Sequence, residues 1–302
     1  MIYWITVIYY STALVEQLIN SIPVINFQNR VIVVNNSLAD HSISLLESEF
    51  VAVIHSPENL GFGRACNLGL QQAFQTDPQS IVWLINPDAY FREDSFQDYF
   101  SKKLLEQNPL KQNPLKQVEK FFTHYPEVSI LGTVIRNHSG EPEFTGGEFD
   151  SQTGYIAASQ ELTHETSNNN IPPAYRLTHW VSGCSLLINL NNFQHCPQFD
   201  SRYFLYYEDF DFCQRYSQQG HTVVITDQIQ VFHQTSSITN QNSSLKIQQS
   251  IYSYLLSLET HTPQTILLYR LCRIILASII KITISPQTSF NKLRAILKYL
   301  NR

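Results

Sequence analysis

Short apolar runs alternate with amphipathic segments through the first hundred residues of the chain. Four runs lack polar alternation, which is typical of strands buried on both faces: residues 2–10, 30–34, 51–55 and 81–85. Three segments between them have the composition and length of helices: residues 12–22, 39–50 and 64–74. Strands separated by helical segments of about a dozen residues predict a parallel, doubly wound sheet of the α/β class.

The remaining chain is less regular. Four further segments are strand-like: residues 128–136, 179–190 (interrupted at 182–184), 222–226 and 230–232. A helix should begin near Glu208 and end before Gly220. Residues 141–170 are rich in Gly, Ser, Thr and Asn, which predicts a hairpin followed by a long lid or binding loop. We interpret residues 234–244 as a second lid.

A tandem repeat stands between the two halves of the chain. The sequence QNPLK occurs twice in succession at residues 107–116. Its two prolines lie five residues apart and block one continuous helix. We interpret the repeat as a surface insertion without chemistry.

Each strand of the first half ends in a polar loop. These loops are residues 9–12, 35–40, 57–64 and 86–90. Parallel strands deliver their loops to the same edge of a sheet, so we expect the four to be neighbours. Pro87 should end the pairing of the fourth strand, which places Asp88 at that edge as a candidate metal ligand. Asn86, Pro87 and Asp88 alone also fit a simple turn, and the convergence of the loops favours the metal role.

Two of these loops suggest nucleotide contacts. Asn35 and Ser37 could bond a base and ribose, whereas Asp40 is better explained as a cap of the next segment. Gly61 and Gly63 precede a helix, an arrangement that lets a backbone approach a phosphate, and the following Arg64 could reach a pyrophosphate. The spacing lacks a third glycine and follows the third strand, which argues against a dinucleotide fingerprint.

In the second half, a run of aromatic residues leads into Glu208, Asp209 and Asp211. Carboxylates in a first helical turn complement the helix dipole, and Asp211 with Arg215 forms an ordinary i,i+4 pair. This explanation leaves open why Glu208 and Asp209 follow the aromatics, an arrangement that suits a sugar platform beside a base. His233 ends the last strand, and a lone histidine is more often structural than a ligand.

Composition limits the classes of protein and compartment. A net charge of −5 and a pI near 6.0 argue against a nucleic-acid binder, which needs a basic face. The five cysteines form no close pair, which suits a reducing compartment without disulfides or a zinc knuckle. The apolar start lacks a basic segment and a cleavage site, so we expect a first strand in a cytoplasmic protein.

Taken in order, these motifs resemble a family 2 glycosyltransferase of the GT-A fold, in particular its rhamnosyltransferase-like branch. They cover roughly residues 2–235: VVNNS at 33–37 with Asp40, NLGFGRACNLG at 59–69, NPD at 86–88, SG at 182–183, YYEDFD at 206–211, and His233. The family usually has an acidic residue where Asn35 stands. Asn86 stands at the first position of the family's Asp-x-Asp signature.

The resemblance implies transfer of a sugar, such as rhamnose, with inversion. The donor would be a dTDP- or UDP-sugar and the acceptor a hydroxyl of a glycan or lipid-linked oligosaccharide. Asp88 and His233 would hold Mn²⁺ or Mg²⁺, and Asp209, with Glu208 beside it, would be the general base. We expect the helix N-terminus to lower the pKa of Asp209. The residues that would bind substrate are Tyr9, Ser11, Asn35, Ser37, Asn59, Gly61, Gly63, Arg64, Asn67, Asn86 and Gly183.

Two other classes of function stay open. A nucleotidyltransferase also holds a metal-bound nucleotide at strand ends, although it needs no base beside an aromatic platform. A non-catalytic nucleotide-sugar-binding relative would explain why Asn35 and Asn86 replace carboxylates.

We expect a catalytic domain at residues 1–240, with a nucleotide-sugar half (1–100) and an acceptor half (125–240), followed by a helical tail at 241–302. Within the tail, residues 266–284 are apolar, but Arg270, Arg273 and Lys281 fall within about 80° of one another on a helical wheel. Each cation would cost about 2.5–3.5 kcal/mol at mid-bilayer, so a spanning helix is disfavoured. The tail would either lie on the inner face of the cytoplasmic membrane or pack on the catalytic domain.

Overall fold

The computed structural model describes residues 1–22, 28–38, 40–92, 114–160, 174–234 and 243–302. Their strands are β1 (Ile2–Ile8), β2 (Asn29–Asn35), β3 (Val51–His55), β4 (Ile81–Ile85), β5 (Ala89–Tyr90), β6 (Val128–Arg136), β7 (Pro142–Phe144), β8 (Gly147–Asp150), β9 (Tyr155–Ala158), β10 (Arg176–Leu177), β11 (Ser185–Asn189) and β12 (Thr222–His233). Their α-helices are α1 (Thr12–Ser21), α2 (Phe62–Thr76), α3 (Pro114–His124), α4 (Glu208–Gln218), α5 (Ser243–His261), α6 (Gln264–Ile280) and α7 (Pro286–Leu300).

One mixed sheet organises residues 1–234 of the chain. Its order is β10-β12-β6-β11-β4-β1-β2-β3, with β5 paired to β12 and β7 to β6. Strands β1 to β4 are parallel, whereas β11 runs antiparallel between β4 and β6. The predicted α/β fold, with a parallel first half, a mixed second half and C-terminal helices, is confirmed. The start of β11 therefore meets the carboxyl end of β4, with Ser185 opposite Ile85.

Helices cover both faces of the sheet. On one face Trp4 and Trp83 stack with ring centroids 4.3 Å apart, beneath α1 and α3. On the other, α2 and α4 bury their apolar sides. Gly69 of α2 sits so close to the sheet that a Cβ there would lie 2.6 Å from Ile5. Burial on both faces explains the continuous apolar runs of the strands.

Three predicted elements differ from the structure. The helix expected at 39–50 is wrong: a 3₁₀ helix at Ser42–Leu46 takes its place, because Asp40 accepts the Ser42 N–H and competes with helical bonding. The strands expected at 222–226 and 230–232 are one strand, β12, with a register shift between Thr226 and Gln230. Strand β11 begins only at Ser185, because residues 182–184 form a turn. Most of the tandem repeat (107–113) and much of both expected lids (161–170 and 235–242) lie outside the described residues.

The C-terminal helices form a third core and also contact the part of the chain that contains the sheet. Leu255 of α5 packs with Ile296 and Tyr299 of α7, and α6 lies against them. Helix α5 also contacts α4, so the tail is joined to the rest of the molecule through a helix interface. None of the helices in the described part of the chain combines the length and apolar character that crossing a bilayer requires.

Candidate active site

Hydrogen bonds join the first three loops at the carboxyl edge of the sheet. The Tyr10 N–H donates to Ser37 Oγ at 2.7 Å. The Asn36 side chain donates to the Gly61 carbonyl at 2.8 Å and accepts the Leu60 N–H at 3.3 Å. The expectation that these loops are neighbours is confirmed. Tyr9 and Tyr10 stand exposed at their margin.

The Asn35 side chain forms hydrogen bonds with the backbone of its own loop. Asn35 is buried, accepts the Ser37 N–H at 2.8 Å and donates to the Asp40 carbonyl at 2.7 Å. Its amide therefore fixes the loop, and contact with a base or ribose stays a prediction. Ser11 Oγ is buried without a hydrogen-bond partner among the described residues, and its contact with a nucleotide stays a prediction.

The two loop glycines are required by packing within the protein. Gly61 has a φ of +79°, and a Cβ there would lie 2.0 Å from the Phe204 carbonyl oxygen. The Phe62 N–H donates to that same oxygen at 3.0 Å. A Cβ on Gly63 would lie 2.9 Å from the Phe199 side chain. The glycines thus let the start of α2 pack closely against residues 199–208. This packing role was not part of the prediction, which explained the glycines by close approach to a phosphate.

Other predicted substrate residues on α2 and its loop have partners in the structure. Asn67 donates to the Phe199 carbonyl at 2.9 Å and accepts the Phe199 N–H at 2.7 Å. Asn59 accepts the Gly61 N–H. Arg64 keeps 39% of its side chain exposed and lies 3.4 Å from Glu58, so its guanidinium can still reach a ligand. Of these side chains, Arg64 is the one most open to a phosphate.

Asp88 and His233 form the polar pair at the end of the central strands. Pro87 follows β4, and β5 then pairs with β12 so that Ala89 lies opposite His233. This pairing places His233 Nε2 3.1 Å from Asp88 Oδ1. Glu143 Oε2 lies 3.6 Å from His233 Nδ1. Glu143 was not among the predicted residues, because nothing in its Gly-rich surroundings marks it.

The charges beside His233 act on its protonation. Burial lowers the pKa of His233, but the hydrogen bond and charge of Asp88, together with Glu143, outweigh burial and raise the pKa. One carboxylate and one imidazole are oxygen and nitrogen donors of the kind that Mn²⁺ or Mg²⁺ accepts. Within the described ranges no cluster of three or more His, Cys, Asp or Glu side chains forms a complete metal site. The pair therefore fits an ion whose other ligands come from substrate and water.

A cavity of about 960 Å³ adjoins this pair. Each residue that lines it carries a polar side-chain group: Gln17, Asn20, Ser21, Tyr90, Asn137, His138, Glu143 and Gln234. Since Glu143 also lies beside His233, a ligand in this cavity would border the proposed metal site.

Asp209 is held at the N-terminus of α4 by two backbone donors. The Gly183 N–H donates to Oδ2 at 2.9 Å, and the Phe210 N–H donates to Oδ1 at 2.8 Å. A Cβ on Gly183 would lie 2.8 Å from the Phe62 ring, so glycine is needed for this approach. Burial raises the pKa of Asp209 in spite of these donors. The expected lowering of this pKa was wrong, because desolvation exceeds the effect of the helix terminus.

Glu208 differs from its neighbour. Glu208 is buried against the first turn of α2, where a Cβ added to Gly63 would lie 3.4 Å from the Glu208 Cβ. Its Oε2 has no hydrogen-bond partner among the described residues. Burial, with the charge of Asp209, raises the pKa of Glu208 to about 8. Burial therefore favours the protonated form of Glu208.

The turn at residues 182–184 joins the two parts of the site. Its Gly183 N–H holds Asp209, and its Cys184 carbonyl accepts the Asn86 N–H at 3.0 Å. Burial raises the pKa of the Cys184 thiol, and the nearby charges of Asp88, Glu143 and Asp209 raise it further. The proposed metal ligand and the proposed base thus surround the same buried residue.

Helix α5 supports the strained segment that leads into α4. Tyr206 and Tyr207 both adopt left-handed backbone conformations, with φ of 69° and 64°, which cost energy for aromatic residues. The Tyr207 ring packs on Tyr254 of α5, with centroids 5.7 Å apart. Ser253 Oγ of α5 donates to the Leu205 carbonyl at 2.9 Å. These contacts offset the strain.

A buried hydrogen bond strengthens the same interface. His261 Nε2 of α5 lies 2.9 Å from Asp211 Oδ1, and both side chains are fully buried. Arg215 donates to Asp211 Oδ2 at 2.7 Å, which confirms the predicted i,i+4 pair. His261 was not predicted to belong near the site, because it lies in the tail, 50 residues from Asp211.

Comparison with known proteins agrees with this geometry. The model of glycosyl transferase family 2 matches residues 4–106. The N-acetylglucosaminyl-diphospho-decaprenol L-rhamnosyltransferase of Mycobacterium tuberculosis is 25% identical over 207 residues, covering 64% of this chain and 61% of that protein. The matched part thus spans less than two thirds of that relative.

Solved glycosyltransferases share the fold. GalNAc-T7 with UDP, GalNAc and Mn²⁺ superposes with a TM-score of 0.58 at 11% identity, over 86% of this chain and 47% of that one. Mannosyltransferase PcManGT from Pyrobaculum calidifontis, in complex with GDP-Man and Mn²⁺, gives 0.52 at 11% identity, over 99% and 86%. S. aureus TarS 1–349 gives 0.52 at 14% identity, over 99% and 91%. The predicted GT-A fold is confirmed.

Proposed function

Because residues 4–106 match the glycosyl transferase family 2 model and the chain has the fold of solved glycosyltransferases, we propose that it is an inverting glycosyltransferase. It would move a sugar from a nucleotide-diphosphate donor to a hydroxyl of a glycan or lipid-linked acceptor. The observation that carries this proposal is the 182–184 turn, which holds Asp209 on one side and binds the backbone of Asn86, two residues before Asp88, on the other.

Asp209 would act as the general base. The acceptor oxygen attacks the anomeric carbon while the bond from that carbon to the diphosphate breaks, and the electron pair leaves with the diphosphate. The acceptor proton passes to Asp209, whose two oxygens are oriented by the Gly183 and Phe210 N–H groups. A carboxylate with a raised pKa accepts a proton more readily than an ordinary aspartate, provided that it stays ionised at the working pH.

Asp88 and His233 would hold a divalent ion, Mn²⁺ or Mg²⁺. When bound, such an ion neutralises charge on the leaving diphosphate. Two solved relatives in fold contain Mn²⁺ together with UDP or GDP-Man, which supports the assignment. Arg64 would add positive charge at the same edge, and Tyr9, Ser11 and Ser37 would border the nucleotide. Asn86 shapes the turn through its backbone.

The curated relative supports the donor sugar and the acceptor that we propose. That protein is an L-rhamnosyltransferase acting on N-acetylglucosaminyl-diphospho-decaprenol. We propose a dTDP- or UDP-sugar of the rhamnose type as donor and a lipid-linked saccharide as acceptor. The enzyme would then work in the cytoplasm, at the inner face of the membrane that contains the lipid.

The test is Asp209→Asn, which keeps the shape of the side chain and removes its basicity. We expect transfer to fall by at least about a hundredfold, the usual scale for a lost general base. Donor affinity, measured by calorimetry with a panel of UDP-, dTDP- and GDP-sugars in Mn²⁺, should stay unchanged. Glu148→Gln, at an exposed carboxylate, is the matched control. Retained turnover by Asp209→Asn would overturn the assignment, and the absence of nucleotide release from every donor would favour a non-catalytic relative.

A further inference from the structure

Helix α6 is apolar on a side that nothing in the described structure covers. It contains nine Leu and Ile residues, yet its buried residue is Ser278. Six large apolar side chains on it and in the turn that follows are between 52% and 79% exposed: Leu268, Tyr269, Leu276, Ile279, Ile280 and Ile284. We refer to these six as the outer face.

The outer face is separate from the side of α6 that packs on the protein. Its five residues within α6 span an arc of about 120° at 100° per residue. The residues that contact α5 and α7 lie on a different arc: Leu267, Leu271, Ile274 and Ile275. A helix that only packs on its own domain needs one apolar side. The second apolar side calls for a second, apolar environment.

Charge identifies that environment. Residues 243–302 contain eight Lys and Arg side chains against one acidic residue, Glu259, a formal charge of +7. The remaining 242 residues carry −12. Arg273 and Lys281 are exposed; Arg273 lies about 20° beyond Ile280 at 100° per residue, and Lys281 follows Ile280 directly in the chain. An apolar strip beside cations is the pattern of helices that lie in an anionic membrane surface.

A second copy of the chain fits this face less well. A two-fold dimer would place the outer face of one chain against the same face of its partner. Two regions of +7 would then meet, at a cost in electrostatic repulsion. The acidic catalytic part would likewise be repelled by an anionic bilayer, which leaves the C-terminal helices as the side that can approach it.

We propose that the outer face of α6 docks onto the surface of an anionic bilayer, with the helix axis in the membrane plane. The aliphatic side chains enter the acyl boundary, and Arg273 and Lys281 contact the lipid headgroups. The proposal deepens the proposed function, since a lipid-linked acceptor lies in that surface. Docking itself rests on the apolar face and the charge, and does not require that the enzyme transfer sugar.

Vesicle co-sedimentation of the full-length protein tests the proposal. The probes are vesicles of zwitterionic phosphatidylcholine alone and vesicles with 30% phosphatidylglycerol. The variant Leu276→Ser/Ile279→Ser removes apolar area from the outer face. Leu45→Ser/Leu177→Ser is the matched control, because those leucines are 86% and 77% exposed elsewhere. Arg273→Gln/Lys281→Gln tests the charge.

We expect the wild-type chain and the control to bind anionic vesicles and to dissociate as salt rises. The outer-face variant should lose at least about tenfold in partitioning, and the charge variant should bind both vesicle types equally weakly. Equal binding by the outer-face variant and the control would overturn the proposal. So would a lipid-free dimer, seen by analytical ultracentrifugation, that Leu276→Ser/Ile279→Ser dissociates. Donor binding is measured on the same samples, so that a failure of membrane docking is distinguished from a failure of the proposed glycosyltransferase function.

Discussion

His261→Ala tests whether α5 positions the proposed base. His261 and Asp211 are both fully buried, and the imidazole lies 2.9 Å from the carboxylate. Asp211 is two residues from Asp209 on the same helix. Removing the imidazole leaves the buried carboxylate with Arg215 as its remaining charged partner. It also creates a cavity between α4 and α5.

The size of the effect follows from that geometry. Loss of one hydrogen bond to a buried carboxylate should cost about 2–3 kcal/mol, since Arg215 remains bound to Asp211. For a chain of this length we expect Tm to fall by about 3–5 °C. Loosening of α4 and of the strained Tyr206 and Tyr207 should lower kcat about tenfold, since small misplacements of a catalytic group are costly.

The assay separates positioning from general stability. Tm is followed by circular dichroism, and kcat and donor KM are measured at least 15 °C lower, where the variant remains folded. We expect kcat to fall while donor KM stays constant, because the nucleotide loops do not contact His261. His195→Ala, at an exposed histidine, should change neither quantity.

A double-mutant cycle with Asp211→Asn sharpens the result. If the two side chains act as a pair, their effects on Tm should be less than additive. An unchanged Tm and kcat in His261→Ala would refute the idea that this contact supports the site. A fall in Tm with unchanged kcat would confine His261 to a structural role.

Three further outcomes follow from the site. The pKa of Glu208 in the folded protein, about 8, exceeds its ordinary value of 4.5, so the folded state binds more protons than the unfolded state between these two values. The free energy of unfolding should therefore fall as pH rises through this window, by up to about 1 kcal/mol per pH unit. Chemical denaturation at pH 6 and 8 should show this slope, and Glu208→Gln should remove it. Gly61→Ala should destabilise the fold by about 2 kcal/mol or more, because it combines left-handed backbone strain with a clash against Phe204. Gly220→Ala is the control, because its φ is +93° but open space surrounds it, so it should show the backbone strain alone. Equal shifts in Tm for the two variants would contradict the packing role of Gly61. Chelation should abolish transfer and added Mn²⁺ or Mg²⁺ should restore it, with Asp88→Asn needing more metal; full activity in a chelator would exclude the proposed ion.

Strands β4 and β6 could be predicted closely because both are buried on the two faces of the sheet and are rich in apolar residues. The bounds of the half-exposed edge strand β3 were also predicted correctly. The helix expected at 39–50 failed for a local reason. Asp40 and Ser42 bond the backbone there, and this competition is not visible in a count of apolar positions.

The site was predictable only as a set of loops. The order of the motifs, and the rule that parallel strands end at the same edge of a sheet, indicated Asp88, His233 and Asp209 as candidates. The sequence did not indicate that Gly61 and Gly63 serve packing against residues 199–208, or that Asn67 holds Phe199, because these contacts join residues about 130 or more positions apart. The direction of the Asp209 pKa depends on burial, which only the assembled fold defines.

A truncation of the C-terminal helices would confuse the proposed membrane docking with their packing on α5. Deleting α6 and α7 would remove the proposed membrane face, but it would also uncover Leu255 of α5, which packs on Ile296 and Tyr299. A disturbed α5 would in turn release Tyr207 and the segment before Asp209. Loss of activity on truncation therefore has two causes. Point changes on the outer face leave the α5 contacts intact, so they alone report whether access to a membrane-bound acceptor, and not the shape of the base, limits transfer.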